Sequence, residues 1–181
     1  ISGNFLSPYY IILLLKIDRY FQLKQEIQPA DQNLLRFIVS NIAQELLLRH
    51  FKNESAALEE DELVILGLLN DKSLPDEIYL TLTEIQDSIR NHFNFTVSIY
   101  IGNIVNSMNE IAVSYRSLKE YGKYKLFCGN ECIINSEKFE ALSSRTGFYP
   151  HDIEKKLFSS LHLGDKKAIR KCTGAFIEYI G

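Results

Sequence analysis

The chain has 181 residues, of which 46% are hydrophobic and 24% are charged, and its formal net charge is -3. This length suffices for one domain with a buried core, with or without a short appendage, and the composition excludes a disordered or fibrous protein. The acidic balance disfavours a protein that binds nucleic acid non-specifically, because such proteins carry a basic surface.

The first predicted element is a buried strand. Residues Tyr9–Ile17 (YYIILLLKI) are almost continuously apolar and short, which is typical of a strand covered on both faces. The run is too short to cross a bilayer, which takes about 20 apolar residues, so we expect no membrane contact. Because the chain begins at Ile1 without an initiator methionine, we expect it to be a piece of a longer protein.

A helix and a second buried strand follow. After Pro29, Asp31 can cap a helix over residues 33–51, in which apolar residues recur at helical spacing on a wide stripe. We expect this helix to be covered on more than one side. The stretch Leu63–Leu69 is apolar apart from Gly67 and predicts a buried strand.

The middle of the chain changes from a helical period to a strand period. Residues 77–93 place Leu82 and Ile89 on one face of a predicted helix. Apolar and polar residues then alternate over residues 93–101, which predicts a strand.

Another helix and a short last strand complete this part of the chain. Ser107 and Glu110 form a predicted capping box in front of a helix that carries Leu118. Gly129 and Asn130 predict a turn into the last strand.

These elements predict an α/β (α+β) domain over residues 1–137, in which helices flank one mixed, mostly antiparallel sheet. Residues 138–181 carry little strand pattern and predict two helices, 151–163 and 165–180, that meet at Gly164. We interpret this second part as a helical appendage that packs on the sheet domain or leads out of it.

The side chains that often bind metals or catalyse reactions are scattered. Three cysteines without metal-ligand spacing predict reduced thiols in a cytosolic protein. Four histidines have no carboxylate or cysteine at ligand spacing, so we interpret them as surface or boundary residues and expect no metal. Four tyrosines are interpreted as aromatic residues at the rim of the core, with a ligand pocket as the alternative: Tyr9, Tyr10, Tyr100 and Tyr115.

An acidic run stands directly before the second buried strand. Glu59, Glu60, Asp61 and Glu62 precede Leu63, and the segment SAAL before them can form a partner strand, so the run is predicted to occupy a hairpin turn. Four segments follow one another along the chain: LLLKIDRY, this turn, FTVSIYIG and SYRSL. Together they resemble the GGDEF domain of diguanylate cyclases. The resemblance covers about 8–136 in element order and implies the fold of that family.

The resemblance also implies a metal-dependent chemistry that this chain has lost. The family binds a divalent metal through an aspartate on the first strand and an acidic residue of the turn. Lys16 stands at the position of that aspartate, where a cation repels Mg²⁺. Glu59 and Glu60 replace two glycines that let the backbone approach the nucleotide, whereas Asp61 and Glu62 match the acidic pair. A degenerate signature turn without cyclase activity is therefore implied.

The nucleotide contacts of the family are altered as well. Its asparagine that recognises guanine corresponds to Lys24, and its aspartate falls on or beside Asp31. The Arg-x-x-Asp motif of its product-binding site would fall on residues 50–53 (HFKN) and is absent from the sequence. Metal, phosphate and base recognition are each damaged.

Two interpretations of the charged residues follow. We hypothesise that the Lys16 ammonium replaces the metal and pairs with Asp61 or Glu62 inside the fold. Glu59 and Glu60 are interpreted as the solvated, charged tip of the hairpin.

Five segments cover nearly the whole chain; they are, in order, LLLKIDRY, LLRFIVSNIAQELL, TVSIYIG, SYRSLKEYGKYKLFCG and YPHDIEKKLFSSLHLGD. Together they resemble the degenerate GGDEF-like middle domains of bacterial AraC-type transcription regulators. The resemblance implies a non-catalytic sensory, relay or dimerisation domain in the cytoplasm, with protein partners and no cofactor. Residues 138–181 would then connect to a DNA-binding domain outside this chain, and DNA would be bound only there.

Two other functions stay open. One is a nucleotide-binding or weakly active cyclase-like domain, which metal-dependent GTP binding would reveal. The other is direct DNA binding by the last two helices, because basic residues cluster after the turn at Gly164. The members of this cluster are Lys166, Lys167, Arg170 and Lys171. A solvated basic face on a connecting helix explains the same cluster.

Overall fold

The computed structural model describes residues 9–28, 31–146 and 150–180. The strands are, in chain order, β1 (Tyr9–Ile17), β2 (Lys52–Glu59), β3 (Glu62–Leu69), β4 (Val97–Ile101) and β5 (Ile133–Ile134). The helices are α1 (Tyr20–Glu26), α2 (Gln32–Leu47), α3 (Ile78–His92), α4 (Met108–Lys123), α5 (Lys125–Cys128), α6 (Ser136–Thr146), α7 (His151–Leu163) and α8 (Lys166–Ile180).

The strands form one sheet in the order β2-β3-β1-β4-β5. Every neighbouring pair is antiparallel except β4 and β5, which are parallel. Strand β1 is central, since Leu15 pairs with Leu63 on one side and with Ile99 on the other. The predicted mixed, mostly antiparallel sheet is confirmed.

Each face of the sheet carries a hydrophobic core. On one face, Leu13 of β1 belongs to a cluster with Leu47 of α2 and Ile85 of α3. On the other face, Leu14 of β1 belongs to a cluster with Leu118 of α4. Side chains alternate between the faces of a strand, so a strand with helices on both sides is apolar throughout. The sequence of β1 therefore predicted its burial correctly.

The strand predicted from Phe93 begins four residues later, at Val97. All five residues of β4 are buried, because β4 lies between β1 and β5 and helices cover both faces. Its polar positions therefore do not face solvent. Tyr100 is 0% exposed, so its interpretation as a rim residue was wrong. The other three tyrosines are partly buried.

Two predicted helix caps stand at the right positions but bond differently. Asp31 and Ser107 are the N-cap residues of α2 and α4, yet neither side chain makes the capping hydrogen bond. The Glu110 carboxylate accepts a hydrogen bond from the backbone N–H of Asn106 at 3.3 Å, one residue before the predicted donor. Pro29, which was predicted to precede the α2 cap, lies outside the described residues.

The last part of the described chain is helical. The two helices predicted on either side of Gly164 are confirmed as α7 and α8, and they pack against each other. Gly164 has a φ of 65°, a left-handed conformation that favours glycine at the end of a helix. The predicted domain division after residue 137 falls inside α6 and stays a prediction. Residues 1–8 and 147–149 of the two predicted parts lie outside the described residues.

Across the described ranges, no helix combines the length and the apolar character needed to cross a bilayer.

Candidate functional site

The acidic run forms the turn between β2 and β3. Strand β2 ends at Glu59 and β3 begins at Glu62, so Glu60 and Asp61 are the tip of a hairpin, as predicted. The backbone N–H of Ile17 donates a hydrogen bond to the carbonyl of Asp61 at 2.9 Å. This bond holds the tip against the end of β1.

Lys16 lies beside the turn because β1 and β3 are neighbours, with Lys16 directly opposite Glu62. Its Nζ is 3.0 Å from Glu62 Oε1 and 3.2 Å from Asp61 Oδ2. Burial alone would lower the pKa of Lys16, but its hydrogen bond to Glu62 and the two nearby carboxylates outweigh burial and raise it. The structure thus brings together the three residues of the hypothesised ion pair.

A second lysine, Lys119 of α4, binds the turn from the face that α4 covers. Its Nζ is 2.7 Å from Glu59 Oε1 and 2.5 Å from Glu62 Oε2. Burial opposes the charged form, yet the hydrogen bonds to both carboxylates raise the pKa of Lys119 well above its usual value. The same contact lowers the pKa of Glu59. The sequence interpretation missed Lys119, because no local pattern shows that this turn of α4 lies over the hairpin.

The third lysine, Lys24 of α1, binds the tip. Its Nζ is 2.5 Å from Glu60 Oε2, and this hydrogen bond raises the pKa of Lys24. The Lys24 side chain is 35% exposed and that of Glu60 63%, so solvent screens the pair and it contributes little to stability. The position that matches the guanine contact of the cyclases therefore binds the hairpin, while Asp31 is exposed at the start of α2.

These contacts pair every carboxylate of the turn with an ammonium group. We call the set the lysine–hairpin network, and its members are Lys16, Lys24, Lys119, Glu59, Glu60, Asp61 and Glu62. Glu62 is the buried centre, with 3% of its side chain exposed and one lysine on each carboxylate oxygen. Leu63, next to it, belongs to the core. Glu59 and Glu60, interpreted as a solvated, charged tip, are both exposed, and each is also paired with a lysine.

The network does not fit the metal that the cyclase fold implies. Carboxylate oxygens of Glu59, Asp61 and Glu62 lie within 4.8 Å of one another, a spacing that could suit a cation. However, the ammonium groups of Lys16 and Lys119 already contact these carboxylates at hydrogen-bond distance. A divalent ion in the same place would lie next to two positive charges, which repel it.

A second buried carboxylate, Asp18, lies two residues after Lys16 on the same face of the sheet. Asp18 accepts hydrogen bonds from Thr96 Oγ1 and Ser98 Oγ, both at 2.7 Å, and from the backbone N–H of Glu131 at 2.9 Å. It also pairs with Lys125. Burial alone would raise the pKa of Asp18, but these donors lower it. Asp18 therefore joins the end of β1 to β4 and to the turn before β5.

The predicted basic cluster lies apart from the turn, on α8. Its four members, Lys166, Lys167, Arg170 and Lys171, are all exposed. None of them forms an ion pair within the described part of the chain. The histidines are partly buried or exposed, as predicted.

Comparison with known proteins gives one relative in sequence. No family model matches the chain. The chain is 24% identical over 173 residues to the "Uncharacterized HTH-type transcriptional regulator YtdP" of Bacillus subtilis (strain 168). The match covers 93% of this chain but 22% of that regulator, so this chain spans about a fifth of the relative's length.

Two solved structures are similar in fold. The active GGEEF domain of a diguanylate cyclase from Vibrio cholerae matches with a TM-score of 0.54 and 14% identity, over 72% of this chain and 84% of that domain. An EAL/GGDEF domain protein from M. capsulatus matches with a TM-score of 0.54 and 16% identity, over 74% of this chain and 88% of that one. The chain therefore has the mixed α/β fold of GGDEF and nucleotide cyclase domains.

Proposed function

We propose that this chain is a non-catalytic regulatory domain of a bacterial transcription regulator. Its proposed role is to relay a signal between neighbouring domains in the cytoplasm, or to mediate self-association, without a cofactor. The AraC type is proposed from the sequence resemblance, and the similarity to a regulator with a helix-turn-helix name supports the broader assignment. The observation that carries the proposal is the position of Lys16, whose ammonium contacts the carboxylates that would hold a metal.

Charge balance supports the absence of catalysis. The turn carries four carboxylates against three lysines, and it has no glycine at Glu59 or Glu60. A triphosphate entering without a metal would meet these carboxylates, and it could reach the lysines only by breaking existing ion pairs. The turn therefore favours a closed structural network over a substrate site.

The lysine–hairpin network and the Asp18–Lys125 pair together support a role in relay. Lys119 joins the hairpin to α4, and Lys125 at the start of α5 joins Asp18 after the end of β1. Helix α4 is followed by α5, β5 and the C-terminal helices. A movement of the hairpin would therefore be passed to α4 and to the segment that leads to α7 and α8.

The test is titration calorimetry with GTP and Mg²⁺, followed by an assay for cyclic dinucleotide. We expect neither binding at millimolar GTP nor product, and an active diguanylate cyclase domain serves as the positive control. Lys16→Asp is the matched variant, because it restores a carboxylate at the family's metal position. We expect Mg²⁺ to leave the Tm of the wild type unchanged and to raise that of Lys16→Asp. Nucleotide binding or product formation by the wild type would contradict the proposal and favour the cyclase-like alternative.

Direct DNA binding is the second candidate, because the exposed basic cluster of α8 follows a tight turn between two helices. The proposed regulator binds DNA through a domain outside this chain, so we expect no binding by this chain itself. Fluorescence anisotropy with a duplex at two salt concentrations tests it. Direct DNA binding would be supported if the affinity for the duplex falls steeply with salt and is lost in the double variant Lys167→Ala and Arg170→Ala.

A further inference from the structure

A cavity of about 350 Å³ lies on the side of α1 away from the acidic tip. Its walls come from the junction of β1 and α1, from α1 itself, from the end of α3 and from the segment that enters β4. The turn before β5 contributes Asn130. This volume is large enough for a small metabolite.

One face of α1 forms a wall of this cavity. Gln22, Leu23 and Glu26 of α1 line it, at a spacing typical of one side of a helix, and Arg19, the N-cap residue of α1, lines it next to them. Lys24 of the same helix binds Glu60 at the hairpin tip. Helix α1 therefore contacts the cavity and the lysine–hairpin network at once.

Two of the charged groups on the cavity wall are already occupied. Arg90, on the opposite wall, donates hydrogen bonds to Asp87 and, at 2.8 Å, to Glu131. Asp18 is paired with Lys125. Arg90 and Asp18 are thus both paired within the protein, and the other two charged residues on the cavity wall are Arg19 and Glu26.

Arg19 and Glu26 are those two charges. Both are exposed, and neither forms an ion pair within the described residues. Arg19 is the N-cap residue of α1 and Glu26 is its last residue, so their backbones stand at opposite ends of one wall, with Leu23 between them.

The backbone at the Arg19 end has an unusual conformation. Arg19 has a φ of 50°, in the left-handed region that L-residues rarely adopt. Glu131, which holds Arg90, is the other non-glycine residue with a positive φ in the described chain. Arg19 lines the cavity, and Glu131 directly follows Asn130 of its wall. Such conformations concentrate at binding sites.

We infer that this cavity binds a free amino acid with an apolar side chain. The carboxylate of the ligand pairs with Arg19, and its ammonium pairs with Glu26. Leu23, Phe93 and Phe95 provide the apolar part of the wall, and the Asn94 and Asn130 amides add hydrogen-bonding groups. A zwitterion satisfies both free charges, whereas a simple anion or cation would leave one of them unpaired. The inference goes beyond the regulatory role and does not require it.

The test compares three ligands with the same side chain and different charged groups. L-phenylalanine has both charges, N-acetyl-L-phenylalanine lacks the ammonium, and L-phenylalaninamide lacks the carboxylate. Titration calorimetry measures the Kd of each for the wild type, Arg19→Gln and Glu26→Gln. We expect the wild type to prefer L-phenylalanine by about tenfold or more, because each analogue loses one charge-assisted hydrogen bond. Arg19→Gln should abolish the preference for L-phenylalanine over the amide and keep the preference over the acetyl compound. Glu26→Gln should abolish the preference for L-phenylalanine over the acetyl compound and keep the preference over the amide.

Arg116→Gln is the matched control, since Arg116 is exposed on α4 and outside the cavity wall. Its affinities should equal those of the wild type. Leucine, isoleucine, valine, methionine and tyrosine are titrated as well, to identify the preferred side chain. Failure of all six amino acids to bind at about 10 mM would overturn the inference. Equal binding of the three phenylalanine compounds, or affinities unchanged by both cavity substitutions, would overturn it too. Circular dichroism checks that each variant is folded.

Discussion

Lys16→Met tests whether the ammonium group that contacts the hairpin carboxylates stabilises the fold. Methionine keeps a flexible, unbranched apolar side chain and removes the charge, so packing changes little. The substitution breaks contacts of 3.0 Å to Glu62 and 3.2 Å to Asp61. Glu62 keeps its other oxygen on Lys119 at 2.5 Å, so its buried carboxylate loses one of two cationic partners.

The expected magnitude follows from these contacts. A hydrogen bond to a charged group contributes about 1.5–3 kcal/mol to stability, and leaving one oxygen of a buried carboxylate without its donor adds to the loss. The Lys16 side chain is 32% exposed, so solvent screening places the effect in the lower part of that range. We expect the free energy of unfolding at pH 7 to fall by about 2 kcal/mol.

Urea unfolding followed by circular dichroism measures this loss, in a double-mutant cycle with Glu62→Gln. The coupling energy should be about 1 kcal/mol in favour of the pair. Because the pKa of Lys16 is raised in the fold, its contribution is fully present below the usual value of 10.5 and is lost as the pH rises through the folded-state pKa. Equal stability of wild type and Lys16→Met, or a coupling energy of zero, would refute the reasoning.

Three further substitutions test other parts of the structure by the same unfolding assay. Lys119→Met should lower the free energy of unfolding by about 2 kcal/mol. Lys123→Met is the control, one turn further on α4 and paired only with a surface glutamate, and should lower it by at most about 0.5 kcal/mol. Equal losses would contradict the role of the hairpin contacts. Asp18→Asn should cost about 3 kcal/mol at pH 7. The pKa of Asp18 is lowered in the fold, so the stability difference between Asp18→Asn and the wild type should be present above pH 3.8, the usual pKa. It should vanish as the pH falls through the folded-state pKa. A stability difference that persists in acid would argue against a charge effect. Gly67→Ala should lower the free energy of unfolding by about 2 kcal/mol, because a Cβ there would lie 2.5 Å from the Phe51 ring. An unchanged unfolding midpoint would mean that the ring moves freely.

Much of the fold follows from local sequence patterns. Strands β1 and β3 are continuous apolar runs, and helices α2 and α3 place apolar residues at helical spacing, so their bounds were predicted to within a few residues. Strand β4 was predicted too long, because alternation indicates a strand but does not show where pairing begins. Its polar residue Ser98 is buried and has a partner from a distant segment, since its hydroxyl donates a hydrogen bond to Asp18.

The candidate site was predictable only in part, for the same physical reason. The acidic turn and Lys16 could be identified because they lie on adjacent strands of a recognisable order. Lys119 is separated from Glu62 by 57 positions, and Lys125 from Asp18 by 107. Such pairs depend on how α4 and α5 pack over the sheet, which no local pattern encodes.

The edges of the sheet bear on how the molecule behaves when it is crowded. Strand β2 forms one edge, and its pairing with β3 shifts register between Ala57 and Glu59. An irregular edge strand with charged residues such as Lys52 and Glu54 is a poor template for a strand of another molecule. At the other edge, β5 has only two residues. We therefore expect little pairing between the sheet edges of neighbouring molecules at high local concentration.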